Sequence, residues 1–162
     1  MPTKTPRQQD LDELDMNIIS ALSVEADVSH KELARKFNVS PGTIHFRIIR
    51  LKDAGVLGNT RVKVNLQRVG LKMTAFVGIY LQNASRHDFV VGRLMGMKEV
   101  IRVHTITGPY SLLAELVCSD TEHLRSVLHG KIQHISGIDR TESMISLQEE
   151  FSKDVAVPSV KG

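Results

Sequence analysis

The sequence predicts an α+β protein in two parts. An N-terminal winged helix-turn-helix, three helices plus short wing strands, is followed by a ferredoxin-like βαββαβ sandwich. Three observations carry this. Apolar residues recur at helical spacing from Asp12 to about Ala54, interrupted before Ser29 and again around Asn38–Ser40. Basic side chains concentrate in the same stretch. From Lys72 the pattern alternates as a strand does, and it then switches between the two periods to the end of the folded region.

Residues 1–10, with Pro2 and Pro6 among polar side chains, read as a flexible tail. Leu14, Ile18 and Leu22 then mark the buried face of a first helix. Ser29 with Glu32 three residues on has the spacing of a capping box and opens a second helix, whose buried side is Leu33, Ala34 and Phe37. Asn38 is suited to end that helix in a left-handed conformation, and Ser40-Pro41 starts another at once. Only a tight turn fits between them, with Val39 filling the corner and Ala34 permitting close approach. The third helix runs from Pro41 to about Ala54. It buries Ile44, Ile48 and Leu51, is stopped by Gly55, and turns a polar and basic face outward.

In a helix-turn-helix the second helix of the pair enters the major groove by its N-terminal part. Ser40, Thr43, His45, Arg47 and Arg50 are therefore the candidates to reach DNA. Arginine can pair with guanine by two hydrogen bonds, and hydroxyls can read base edges or phosphates. Arg47 has an alternative, which is to anchor the helix to Asp53 or to a neighbour within the domain. Arg61-Val62-Lys63-Val64 alternates basic and apolar residues, as a wing strand lying along the phosphate backbone would, so Arg61 and Lys63 join the set. Residues 28–64 hold eight basic side chains against Glu32 and Asp53 alone, whereas beyond residue 65 the signs nearly cancel. This is the balance of a polyanion-binding head on a domain with another task.

In the second part, Lys72–Leu81 places Met73, Ala75, Val77, Ile79 and Leu81 on one face and Thr74, Phe76, Gly78 and Tyr80 on the other. Both faces are largely apolar, so a cover on each side is expected. Residues 86–97 are helical through Phe89, Val90, Leu94 and Met97. Val100–Thr107 and Ser111–Val117 read as strands around a Gly108-Pro109-Tyr110 turn. Leu124, Val127, Leu128, Ile132 and Ile135 restore the helical period, and Ile138–Leu147 is the last strand. A four-stranded sheet with helices on one side needs its other face covered, and a second copy of the chain is the economical cover. The expected boundaries are a tail at 1–10, a DNA-binding domain at 11–64, a linker at 65–71, the βαββαβ domain at 72–149 and a C-terminal tail at 150–162.

Composition narrows the classes. With 41% hydrophobic and 24% charged residues over 162, the chain has an ordinary globular balance. No apolar run reaches the roughly 18 to 20 residues that span a bilayer, and MPTKTPRQQD lacks the apolar core of a secretory signal, so a cytoplasmic, nucleoid-associated protein is expected. Cys118 is the only cysteine, which leaves no internal disulfide and no cysteine-based zinc site. His123, His129 and His134 lack the H-E-x-x-H spacing, and no G-x-x-x-x-G-K loop occurs. No catalytic residue, metal or cofactor is assigned.

Several runs together make the chain recognisable. They are Leu14-Asp15, Leu33-Ala34, Ser40-Pro41-Gly42-Thr43-Ile44 with Arg47, Leu51-Lys52-Asp53-Ala54-Gly55-Val56, Thr107-Gly108-Pro109-Tyr110-Ser111 and Lys131-Ile132-Gln133. Over Asp12–Leu147 the chain resembles the Lrp/AsnC, or feast/famine, transcriptional regulators. Ser40-Pro41-Gly42-Thr43-Ile44-His45, together with Thr107-Gly108-x-Tyr110-Ser111, most resembles the asparagine-responsive branch, although Ser111 stands where many relatives have aspartate. The resemblance implies a regulator of double-stranded DNA that forms dimers and octamers built as tetramers of dimers. It also implies an effector, asparagine or another small amino acid, bound between dimers. Carried onto this sequence, the effector site falls at Gly108, Pro109, Tyr110 and Ser111, with Gln133 and Thr141 opposite. The alternative function is an architectural protein of the same fold that wraps DNA without a ligand.

Overall fold

The computed structural model describes residues 11–60, 62–153, 155 and 157. The chain divides into two compact units, residues 1–63 with 151–162, and residues 64–150. Each is taken by itself.

The first unit is built on α1 (Glu13–Val24), α2 (His30–Lys36) and α3 (Pro41–Asp53). Each helix start is fixed by its own side chains. Asp12 and Asp15 form a reciprocal capping box on α1, and Ser29 and Glu32 do the same on α2. On α3, Ser40 Oγ accepts from the Thr43 N–H at 3.1 Å, and Pro41 occupies the first turn, where its missing N–H is no loss. Asn38 ends α2 with φ at 53°, and the Val39 N–H reaches back to the Ala34 carbonyl at 3.0 Å. Ile18, Ile19, Leu33, Ala34, Ile44, Ile48 and Leu51 close into one core, with Phe37 and Val39 packed on its margin. Val157 also packs against this core. The outer face of α3 is not uniformly polar and basic as expected: Phe46 and Ile49 stand exposed there.

The expected wing strand is corrected. Residues 62–65 form no strand, and Arg61 lies outside the described residues, as do residues 1–10 and Pro158. A strand is defined by its ladder, and among the described residues of this unit no extended segment pairs with Val62 and Val64, which stay exposed.

The second unit contains β1 (Met73–Leu81), α4 (His87–Met95), β2 (Val100–Thr105), β3 (Leu112–Cys118), α5 (Thr121–Gly130) and β4 (Ile138–Ile145). The sheet order is β2-β3-β1-β4, and every neighbouring pair is antiparallel. That is the split βαβ arrangement, with β3 inserted between β1 and β2 and β1 between β3 and β4. One sheet face and the two helices enclose the core, in which Ala75, Val77, Ile79, Val90, Leu94, Leu112, Ala114, Leu116, Val127 and Ile132 are almost wholly buried. The other face carries Phe76, Tyr80, Leu113, Glu115, Arg140, Glu142 and Met144, as the period of two requires. Phe76 and Met144 are exposed on it. The β2–β3 connection is longer than the three-residue turn expected: β2 ends at Thr105 and β3 begins at Leu112. Pro109 has no N–H for a ladder and Gly108 sits at φ 137°, so pairing stops early on both sides.

Candidate nucleic-acid interface and effector turn

The outer surface of α3 is where a groove-reading helix would present its side chains. Ser40 and His45 are exposed there, and the Ser40 and Thr43 hydroxyls lie 2.9 Å apart at the N-terminus. The His45 ring lies 5.4 Å from that of His30 on α2. Lys63 is exposed beyond the helix, and Arg61 falls outside the described residues.

Arg47 and Arg50 are placed differently from the expectation of free base readers. Arg47 Nη1 donates to Asp15 Oδ1 at 3.1 Å and also bonds Asp12, while Arg50 bonds the second oxygen of Asp15. The Asp15 side chain is fully buried, and that of Arg47 is only 22% exposed. The partner is therefore neither solvent nor Asp53 but the first turn of α1. A buried carboxylate needs compensation by charge and hydrogen bonds, and two guanidinium groups supply it. Burial pushes the Asp12 carboxyl up, but hydrogen bonds from the Asp15 N–H and Arg47 outweigh it and leave Asp12 below the usual carboxylate range. The hydrogen bond to Asp12 in turn holds the Arg47 guanidinium above its ordinary value. Arg47 is thus an anchor of α3 on α1; Arg50, with 44% of its side chain exposed, is anchored while still facing outward. The sequence allowed an anchor within the domain but did not single out Asp12 and Asp15, which lie 35 and 32 residues from Arg47.

The six effector candidates fall into two groups in one chain. Tyr110 swings over the open sheet face, where its hydroxyl donates to Glu142 at 2.9 Å and its ring meets Tyr80 edge-on, with centroids 5.3 Å apart. Gly78 makes this possible, since a Cβ there would lie 2.6 Å from the Tyr110 ring. Tyr80 donates to the other Glu142 oxygen at 3.1 Å, and the Arg140 guanidinium stacks 3.8 Å above the Tyr80 ring. Hydrogen bonding to Glu142 raises the Tyr110 phenol above its ordinary value. Thr141 belongs to the helix-side face of β4, opposite Ile79, and its hydroxyl accepts from Gln133 Nε2 at 3.3 Å. The Gln133 carbonyl oxygen is in turn 2.7 Å from His129 Nδ1. Ser111 Oγ accepts weakly from the Leu81 N–H at 3.4 Å, and Gly108 and Pro109 are exposed. No hydrogen bond among the described residues ties the turn to Gln133 or Thr141. The open groove of about 680 Å³ is lined instead by α1 and α2, including Asn17, Ala21, Leu33 and Phe37.

A third cluster was not legible in the sequence. Glu99, only 3% exposed, accepts from Lys131 Nζ at 2.8 Å and faces His123 Nε2 at 3.4 Å, while its second oxygen is buried without a partner among the described residues. Burial raises the carboxyl, but these hydrogen bonds prevail and hold it below its usual range. His123 is half-buried, and its Nδ1 accepts from the Ser119 N–H at 3.2 Å. Among the described residues no group of three or more His, Cys, Asp or Glu side chains could hold a metal ion.

Comparison with known proteins matches residues 11–57 to a winged helix-turn-helix DNA-binding model and residues 74–155 to the Lrp/AsnC ligand binding domain. The chain is 34% identical over 145 residues to the regulatory protein AsnC of Haemophilus influenzae, covering 90% of this chain and 97% of that protein. It is 35% identical over 145 residues to the regulatory protein AsnC of Escherichia coli K12, covering 90% and 95%. The solved structure of E. coli AsnC superimposes with a TM-score of 0.83 at 34% identity, over 90% of this chain and 98% of that one.

Proposed function

The chain belongs to the Lrp/AsnC family of DNA-binding transcriptional regulators, and from that premise we propose that it is an effector-controlled regulator whose ligand is a small amino acid, asparagine or a close relative. The carrying observation is the α2–turn–α3 geometry, in which Asn38, Ser40 and Pro41 hold α3 with its N-terminal residues outward. Ser40, Thr43 and His45 contact DNA at base edges or phosphates in this reading, Arg50, Arg61 and Lys63 serve the phosphate backbone, and Arg47 fixes the helix to α1. The open sheet face, on which Phe76 and Met144 are exposed, forms the dimer, which supplies the two-fold symmetry for paired half-sites. Dimers assemble further, into octamers, and the effector sits between them at Gly108, Pro109, Tyr110 and Ser111 of one dimer with Gln133 and Thr141 of another. That division between chains accounts for the two groups staying apart in a single chain. Hydroxyls, an amide and backbone groups at the turn suit a zwitterion without a buried counter-charge.

The test is titration of the full chain with each amino acid, reading melting temperature, sedimentation and affinity for a selected duplex. One amino acid, asparagine first, is expected to shift all three, and Gln133→Ala to abolish the shifts while leaving duplex binding in place. Duplex binding with no response to any amino acid would leave the chain an architectural DNA-wrapping protein.

A further inference from the structure

Phe46 and Ile49 are not explained by the fold. They are 65% and 44% exposed, and they lie three residues apart on α3, on the side facing away from Ile44, Ile48 and Leu51. At about 100° per residue, Gly42, Phe46 and Ile49 form one line along the outermost surface of the helix. Gly42 leaves the N-terminal end of that line bare, since the nearest atom to a Cβ built there is Ser40 Oγ at 3.7 Å. A single exposed apolar residue is unremarkable. A contiguous pair at the centre of the groove-facing line is not, because in water it contributes nothing to stability.

The arginine best placed by sequence to read guanine is drawn back against α1 by Asp12 and Asp15. What remains foremost on α3 is apolar, flanked by the Ser40 and Thr43 hydroxyls. The surrounding segment is strongly basic, which favours a polyanion over a protein partner at this surface. The major groove of duplex DNA offers one apolar feature, the 5-methyl group of thymine. Resting on the DNA-binding reading above, we propose that Phe46, supported by Ile49, is a specificity-determining residue that packs on thymine methyl groups. Half-sites with thymine under the centre of α3 are selected thereby, through burial of the methyl group and not through a guanine contact.

The experiment first selects duplexes from a random pool with the full chain. In the best duplex each thymine is then replaced by deoxyuridine, which keeps every hydrogen bond and removes only the methyl. Loss of affinity of about fourfold is expected at one or more positions in each half-site, from about 0.8 kcal/mol per buried methyl-sized group at about 1.4 kcal/mol per tenfold. Phe46→Ala should bind the thymine and deoxyuridine duplexes equally, and Phe46→Leu should retain part of the preference. The proposal is overturned if the wild type ignores the replacement, or if Phe46→Ala keeps the same ratio. It is equally overturned if Phe46→Ala changes the sedimentation of the DNA-free protein, since Phe46 is then covered by a second copy. Failure to enrich any duplex would instead remove the DNA-binding reading itself.

Discussion

Replacing Arg47 with methionine separates an anchor from a base reader. The side chain keeps its length and apolar stem but loses two charged hydrogen bonds, to Asp12 and to buried Asp15. Hydrogen bonds to charged groups contribute about 1.5–3 kcal/mol each, and breaking a buried pair costs about 3–5 kcal/mol. Two features reduce that figure. Asp12 is half exposed, so its share is that of a surface pair, up to about 1 kcal/mol. Arg50 stays on Asp15, so the buried carboxylate keeps one partner. A loss of about 2 kcal/mol from the first unit follows, which at about 4–8 °C per kcal/mol for a domain of this size lowers its melting by roughly 10 °C. The assay is amide hydrogen exchange across α1 and α3 in the full chain, with duplex affinity measured well below the melting range. Faster exchange is expected in the helices of the first unit and not in the second unit, with affinity within about threefold of wild type. Unchanged exchange together with a tenfold loss of affinity would refute the anchoring argument and restore Arg47 as a base contact.

Lys131→Met removes the ammonium that faces Glu99. The carboxyl, held below its unfolded value of about 4.5, stabilises the second unit fully above that pH and less as the pH falls through the folded value. The variant should lose about 1–2 kcal/mol in urea unfolding at pH 7, at the lower end because Lys131 is partly exposed. That difference should shrink as the pH falls below about 4.5, and one that grows on acidification would contradict the pairing. Gly78→Ala places a methyl into the Tyr110 ring. The ring must leave Glu142, at a cost of about 1–2 kcal/mol. Tyr80 and Tyr110 are the only tyrosines and there is no tryptophan, so intrinsic fluorescence reports the displacement directly. An unchanged spectrum and stability would show that the ring does not rest there.

What could be read from the sequence was what neighbouring residues decide together. Ser29 with Glu32, Asn38, and Ser40-Pro41 each satisfy or release backbone groups within a few positions, so helix starts and stops were legible. The order βαββαβ followed from the change of period. The partners of Arg47 lie 35 and 32 residues away, and those of Glu99 are 24 and 32 residues away. No periodicity encodes such pairings. Glu99 in particular sits between helix and strand patterns, where a carboxylate reads as a surface residue until α5 closes over it. The strand expected at Arg61–Val64 is absent from described residues 62–64 for a different reason, since alternation describes a strand's faces and says nothing of whether a partner strand exists.

The same distinction bears on the site. Tyr110 and Gln133 were named together through the family resemblance, yet within one chain they serve different faces of β4. Glu142 and Thr141 are adjacent in sequence, so the period of two sends them to opposite sides of the sheet edge. An effector bridging Tyr110 and Gln133 must then draw them from two chains, and the response becomes a property of assembly. In that arrangement, a mixed population carrying Tyr110→Ala in one chain and Gln133→Ala in another retains some intact sites and part of the response. A site closed within one chain would lose all of it, because every chain is then defective.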